Sequence, residues 1–181
     1  MGPAVPWYGL RYPTSALKAN TDASLCVPGL LGGYADYLVK NSLYPASQLI
    51  SVDAISAHAN QTGLAIQSTI GLKAASAITG NEAYARVASS YAYTLYNEAL
   101  GLNARIVEGS THFTYYYGQE ATWNVLFPAY SDVLLTLDTF PSEAWEMQSE
   151  WYLTQMRELG LPFAGPVSNL EYTGSGITWG L

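Results

Sequence analysis

Two histidines and one aspartate are the side chains of this sequence with the clearest capacity for acid–base chemistry. Asp53 sits between Val52 and Ala54, in a stretch of low charge where a carboxyl group would lose hydration. His58 and His112 are the only histidines, and each precedes a predicted helix. Hydrolysis of an amide needs a base or nucleophile and a proton donor for the leaving group. Asp53, His112 and His58 are therefore the candidate catalytic residues, with a structural loop role as the alternative for each.

A second set of polar and aromatic side chains is suited to holding a substrate. Asn60 and Gln61 carry carboxamides that could orient a substrate amide, although Asn60 is equally suited to capping the helix that follows. Glu108 or Glu120 could pair with Asp53, as the two carboxylates of a glycosidase do. The candidate substrate-binding residues are Asn60, Gln61, Tyr115, Trp123 and Glu108. The aromatic residues of this set are equally typical of a protein core.

Other chemistries fit the sequence less well. Asp53 and the two histidines could ligate zinc, but they lack the HExxH spacing, so no metal and no cofactor is expected. Cys26 is the only cysteine, which excludes an internal disulfide and a cysteine-ligated metal cluster. Ser110 and Thr111 lie outside any GxSxG motif, which argues against a serine hydrolase. Asn60 opens the sequon Asn-Gln-Thr and is a predicted glycosylation site in a secreted chain.

The composition limits the partners of the chain. Its 181 residues suit one domain; 49% are apolar, 12% are charged, and the formal net charge is −7. Lysine and arginine form no cluster, so neither nucleic acid nor an anionic membrane is an expected partner. No apolar run reaches the roughly 18 residues of a transmembrane helix. The opening residues MGPAVPW lack the basic and apolar regions of a secretory signal peptide.

Apolar residues recurring every three to four positions predict five helices. Their predicted ranges are 30–41, 61–79, 82–100, 122–138 and 142–159. Residues 111–117 are aromatic and β-branched, which is typical of a short strand or an extended loop. Pro128 falls inside the fourth range, so that helix either kinks there or begins close to it.

The second and third predicted helices differ in kind. Residues 64–78 are small or apolar on every face, which predicts a helix buried on all sides. Gly80 and Asn81 leave only a tight connection to the next helix, whose apolar residues form one stripe. An inner helix backed antiparallel by an outer one is the repeating unit of a helical toroid. The sequence therefore predicts an all-α fold of antiparallel αα-hairpins, with the polar stretch 51–61 facing the enclosed space.

Six segments resemble fungal glutaminase A proteins. The resemblance runs from about Gly33 to the end of the chain, or roughly four fifths of it. The segments are Tyr44–Ile55 (YPASQLISVDAI), Ala59–Gln67 (ANQTGLAIQ), Ser110–Tyr115 (STHFTY), Thr122–Phe127 (TWNVLF), Glu143–Gln148 (EAWEMQ) and Gly160–Val167 (GLPFAGPV).

The resemblance implies a secreted, extracellular amidohydrolase that converts glutamine to glutamate and ammonia. It implies a β-rich N-terminal region followed by an (α/α)6 toroid of six hairpins. Residues 1–28 hold four of the nine prolines and no sustained period, which predicts an irregular segment there, and the resemblance makes 29–181 a partial toroid domain. The family supplies no assigned catalytic set, so the candidate residues above rest on their own chemistry.

Two further expectations follow. With about five helices where six hairpins would have twelve, the chain resembles a truncated relative. It should be inactive alone and expose apolar surface that suits its missing domains or self-association. The alternative function is a non-catalytic helical toroid that binds a carbohydrate or a peptide, since fold alone does not decide activity.

Overall fold

The computed structural model describes residues 27–48, 57–165 and 178–179. This part contains five α-helices: α1 Val27–Asn41, α2 Thr62–Thr79, α3 Glu82–Tyr96, α4 Phe127–Leu134 and α5 Ser142–Gln155. A 3-10 turn spans Val107–Gly109, and two short strands, β1 Leu161–Pro162 and β2 Thr178–Trp179, pair antiparallel. The predicted all-α class is confirmed. The division at residue 28 stays a prediction, because residues 1–26 lie outside the described part.

Helix α2 is the centre of the domain. Gln67 is its one exposed residue, and Ile66 and Leu72 are fully buried. The helix packs against α1, α3 and α4, so neighbours cover it on several sides. Its small residues permit this close approach, and the predicted all-round burial is confirmed. No helix within the described ranges is long and apolar enough to cross a membrane.

Helices α2 and α3 form the predicted antiparallel hairpin. Gly80 ends α2 in the left-handed region, at φ 75°, and its N–H donates to Ser76 O at 2.9 Å. Asn81 then caps α3, because its side-chain oxygen accepts the N–H of Ala83 at 3.1 Å. The inner surface of α3 carries Tyr84, Ala88, Ala92, Leu95 and Tyr96, all of them buried.

The prediction that the third helix extends to residue 100 is wrong. Helix α3 ends at Tyr96, and Ala99 adopts a positive φ of 58°. The N–H of Gly101 donates to Leu95 O at 3.0 Å, which folds the chain back over the end of the helix. Gly101 itself has no room for a side chain, since a Cβ there would lie 2.9 Å from Thr62 Cγ2.

The predicted start of the fourth helix at 122 is also wrong. Residues 122–126 are not helical: Asn124 pairs with Ala164, and the N–H of Val125 donates to Phe163 O at 2.9 Å. Pro128 stands in the first turn of α4, so the second of the two alternatives for this proline is confirmed. Tyr130, in the first turns of α4, is 70% exposed.

The last two helix ends also fall short of their predicted limits. Helix α4 ends at Leu134 rather than at 138, and Thr136 and Asp138 then take positive φ values of 49° and 50°. Helix α5 ends at Gln155 rather than at 159, where the chain becomes extended at Met156. Local turns therefore shorten both helices.

One buried carboxylate organises the connection between α4 and α5. Asp132 is 2% exposed, and its oxygens accept the N–H groups of Thr139 at 3.0 Å and Phe140 at 3.2 Å. The indole N–H of Trp145 donates to the same carboxylate at 3.2 Å. These bonds fix the turn after α4 and the first turns of α5 to one point.

Candidate functional site

An extended segment, Phe113–Tyr117, lies across the N-terminal end of α2. The N–H of Thr62 donates to Tyr115 O at 3.0 Å, and the N–H of Tyr117 donates to Asn60 O at 3.1 Å. Below these bonds the hydroxyl groups of Thr62 and Thr114 are 3.2 Å apart in the core. These bonds join the end of the polar stretch 51–61 to the aromatic segment 111–117. The segment 111–117 forms isolated bridges rather than a regular strand.

Gln61 joins the two ends of the loop that precedes α2. The backbones of Gln48 and His58 pair through hydrogen bonds of 3.3 and 3.4 Å. The Gln61 side chain is 1% exposed, and its Nε2 donates to Gln48 O at 2.6 Å and to His58 O at 2.9 Å. Gln61 therefore holds together Gln48 and His58, the two residues that flank the segment 49–57. We call this paired region the neck. Asp53 belongs to this segment and lies outside the described residues.

Tyrosine rings form the wall next to this neck. The ring centroids of Tyr115 and Tyr116 are 4.2 Å apart, and the Tyr116 ring lies 4.6 Å from that of His58. Both tyrosine hydroxyls, and Oε1 of Gln61, are buried without a hydrogen-bond partner in the described part. Burial raises the pKa of Tyr116 to about 12 and that of Tyr115 further. Both hydroxyls therefore stay protonated at neutral pH and can donate hydrogen bonds.

We call His58, Asn60, Gln61, Tyr115 and Tyr116 the neck cluster. Asn60 is exposed and takes a left-handed φ of 58°, and Gln61 rather than Asn60 occupies the N-cap position of α2. Of the predicted site residues, the structure brings His58, Asn60, Gln61 and Tyr115 together. The sequence indicates Tyr116 only as one of the three consecutive tyrosines 115–117 that could line a pocket, and nothing in it separates Tyr116 from the other two.

His112 lies apart from the neck cluster. Its backbone N–H donates to Asn103 Oδ1 at 3.1 Å, and its ring stacks on Trp151 of α5 with centroids 3.9 Å apart. Nδ1 is 3.0 Å from Thr111 Oγ1, whereas Nε2 is buried without a partner in the described part. Burial lowers the pKa of His112 to about 4, so the imidazole is neutral at neutral pH.

Trp123 and Glu108 also lie outside the neck cluster. Trp123 is 3% exposed, its ring lies 6.2 Å from that of Tyr152, and a Cβ on Gly165 would overlap its indole. Glu108 is exposed in the 3-10 turn. Within the described ranges, no three His, Cys, Asp or Glu residues are grouped as metal ligands would be.

Replacing Gln61 by methionine is expected to lower the free energy of unfolding by about 2 kcal/mol. The carbonyls of Gln48 and His58 would each lose one of their two donors, and a net hydrogen bond contributes about 0.5–1.5 kcal/mol. Chemical denaturation measures this change, and the NMR shifts of the His58 ring should move with it. Gln67→Met, at the exposed position of α2, is the matched control. Equal effects of the two variants would contradict the clamp.

The α2–α3 hairpin, with its enclosed inner helix and a polar cluster at the end of that helix, defines a helical toroid of αα-hairpins. The profile of the glutaminase A six helical-hairpin domain matches residues 14–177, and the chain belongs to this family. The resemblance drawn from the sequence is thereby confirmed.

A curated relative gives the same assignment. The chain is 30% identical over 138 residues to glutaminase A of Aspergillus oryzae (strain ATCC 42149 / RIB 40). The match covers 74% of this chain and 20% of the relative, so the chain spans about a fifth of that protein's length. No solved structure matches the chain.

Proposed function

We propose that this domain is part of an extracellular amidohydrolase that converts L-glutamine to glutamate and ammonia. Membership of the glutaminase A hairpin family and the name of the Aspergillus oryzae relative support the substrate. The observation that carries the proposal is the neck cluster at the end of the inner helix, where the Tyr116 ring contacts the rings of His58 and Tyr115 and the Gln61 carboxamide binds the His58 carbonyl.

Under this proposal the reaction is the attack of water on the γ-carboxamide carbon of glutamine. His58 or Asp53 accepts the proton of the attacking water and returns it to the departing nitrogen, so that ammonia and a carboxylate are formed. The Tyr115 and Tyr116 hydroxyls stay protonated and would donate to the oxyanion once the neck cluster opens, because both are buried in the closed arrangement. Asn60, exposed beside the neck, is placed to orient the substrate.

Asp53→Asn is expected to cut the turnover of glutamine at least about a hundredfold, as is typical for loss of a general acid or base. The measurement is ammonia release by a chimera in which this chain replaces the matching fifth of Aspergillus oryzae glutaminase A. Asp138→Asn, at an exposed turn, is the matched control. A near-normal kcat for Asp53→Asn would remove Asp53 from the mechanism. An inactive chimera that folds would count against the proposed reaction.

His112 remains a third catalytic candidate, but its possible roles are fewer. Because its imidazole is 2% exposed and neutral at neutral pH, it could act only as a base or a hydrogen-bond partner, and only if α5 moved. Trp123 and Glu108 would likewise need elements outside the neck cluster to reach the same substrate. The neck cluster therefore carries the proposal by itself.

The second candidate is sugar binding without turnover, and the position of Tyr44 favours it. This side chain is 62% exposed, and its ring meets the ring of Tyr117 edge-on at 6.1 Å beside the neck. An exposed aromatic face of this kind can pack against a sugar ring. Calorimetric titration with oligosaccharides and with glutamine separates the two functions. Sugar binding by a chimera that releases no ammonia would favour the second.

The expectation of missing domains or self-association also stays a proposal. Apolar side chains stand out from the surface of α1 and α4, where Leu30 is 57%, Tyr34 60%, Tyr130 70% and Val133 55% exposed. Leu31, Leu38, Trp145 and Trp151 are half-buried. Apolar area of this kind suits a further hairpin or a second chain.

A further inference from the structure

A groove of about 370 Å³ runs between α2 and α4. It shares no residue with the neck cluster, and no feature of the proposed reaction uses it. The apolar side chains that line it include Leu64, Ile70, Val125, Phe127, Leu135 and Phe163. Gly63 and Gly71 leave parts of the α2 wall without side chains. Its volume falls in the range of small-molecule sites, about 300–1,000 Å³.

One buried carboxamide faces this apolar space. Asn124 lines the groove, is 5% exposed, and has no hydrogen-bond partner for Oδ1 among the described residues. Burying an amide oxygen without a partner is costly, so such a group calls for an explanation. The backbone of Asn124 is held from both sides.

The support for Asn124 is made of backbone bonds. Its carbonyl oxygen accepts the hydroxyl of Tyr152 at 2.9 Å, and the same hydroxyl accepts the N–H of Leu126 at 2.8 Å. On its other side Asn124 pairs with Ala164. The backbone that carries the carboxamide is therefore held in the groove wall, as the support of a ligand-binding group would be.

The chemistry of the wall selects the ligand. None of the described residues that line the groove is charged, and its other polar side chains, Gln67 and Ser131, are exposed at the rim. Free glutamine, with an ammonium and a carboxylate group, has no counter-charge here. A carboxamide offers both a donor and an acceptor to Asn124, and an apolar body fits the remaining wall. We propose that the groove binds a small neutral molecule with a primary carboxamide at one end and an apolar body.

Benzamide is the probe, with benzoate, benzylamine and toluene as analogues of the same size. We expect benzamide to shift the NMR signals of Ile70 and Leu64, and the two charged analogues to bind at least about tenfold more weakly. Asn124→Leu should abolish the preference for benzamide over toluene while toluene still binds. Equal binding of all four probes, or an unchanged preference in Asn124→Leu, would overturn the proposal.

A second variant tests the site without touching its buried wall. Ser131→Phe places a ring in the groove from an exposed position and should prevent benzamide binding, whereas Ser90→Phe, exposed on α3, should not. Sedimentation of the wild-type chain distinguishes a different occupant. A dimer that excludes benzamide and dissociates in Ser131→Phe would show that the groove is an interface between copies, and would overturn the proposal.

Discussion

Replacing Asp132 by alanine is expected to lower the free energy of unfolding by about 4 kcal/mol. The variant would leave the N–H groups of Thr139, Phe140 and Trp145 without their acceptor. Hydrogen bonds to a charged group contribute about 1.5–3 kcal/mol each, and a buried donor without a partner costs about 1–3 kcal/mol. The expected total is smaller than the sum of these three costs, because the turn can relax and let water bind the freed N–H groups. Chemical denaturation followed by circular dichroism measures the change.

Two further variants separate this role from a general effect of charge. Asp132→Asn keeps the shape and part of the acceptor capacity, so its loss should fall between those of alanine and the wild type. Asp138→Asn removes an exposed carboxylate from the same connection and should change stability by about 0.5 kcal/mol or less. If Asp132→Ala behaved like Asp138→Asn, the three bonds would not hold the connection between α4 and α5.

Acidification is expected to destabilise the wild-type chain through His112, by about 3 kcal/mol between pH 7 and pH 4. Burial holds the pKa of His112 near 4, against an ordinary value of 6.5. In the unfolded chain the ring takes up a proton as the pH falls below 6.5, while the folded chain resists protonation until about pH 4. Protonation therefore favours the unfolded state within this window, at about 1.4 kcal/mol per pH unit.

The measurement compares the wild type with His112→Gln at a series of pH values. Carboxylates titrate in both proteins, so the difference between their unfolding free energies isolates His112. That difference should be constant above pH 7 and change in favour of the variant as the pH falls to 4. NMR titration of the His112 ring gives an independent reading. Parallel stability curves, with the ring titrating near 6.5, would contradict the buried neutral imidazole.

The core hairpin could be predicted from the sequence because its signals are local. Residues 64–78 are small or apolar on all sides, and Gly80 and Asn81 supply the stop and the next cap within two positions. The family resemblance was equally accessible, since six segments carry it in order. None of these inferences needs knowledge of what lies far away in the chain.

The start of α4 could not be predicted in this way. Trp123 and Leu126 are buried at 3% and 4% exposure, which matched a helical stripe, yet their segment is extended. Its backbone instead pairs with Phe163 and Ala164, some forty residues further along. Pairing with this distant segment holds residues 122–126 in a non-helical conformation, although their apolar period predicts a helix. Periodicity alone cannot detect a distant partner.

The arrangement of the residues in the neck cluster could not be predicted from the sequence. His58, Asn60 and Gln61 stood out by type, yet the sequence gives no sign that Gln61 clamps two carbonyls. Asp132 resembled an ordinary helix-surface aspartate, because its three donors come from a turn and from the next helix. Asn124 lay hidden within a predicted helix that does not form there.

The contact between Thr62 and Thr114 has a consequence for the order of folding. The α2–α3 hairpin closes across two residues, whereas the contact between Thr62 and Thr114 closes a loop of 52 residues. The hydrogen bond from the Tyr117 hydroxyl to Leu43 O closes a loop of 74 residues. Loop closure costs more entropy as the loop lengthens, so the hairpin can form before the segments around it are in place. The neck cluster then assembles on a hairpin that already exists. Local opening would follow the reverse order, and the domain could lose its candidate site while keeping its inner helix.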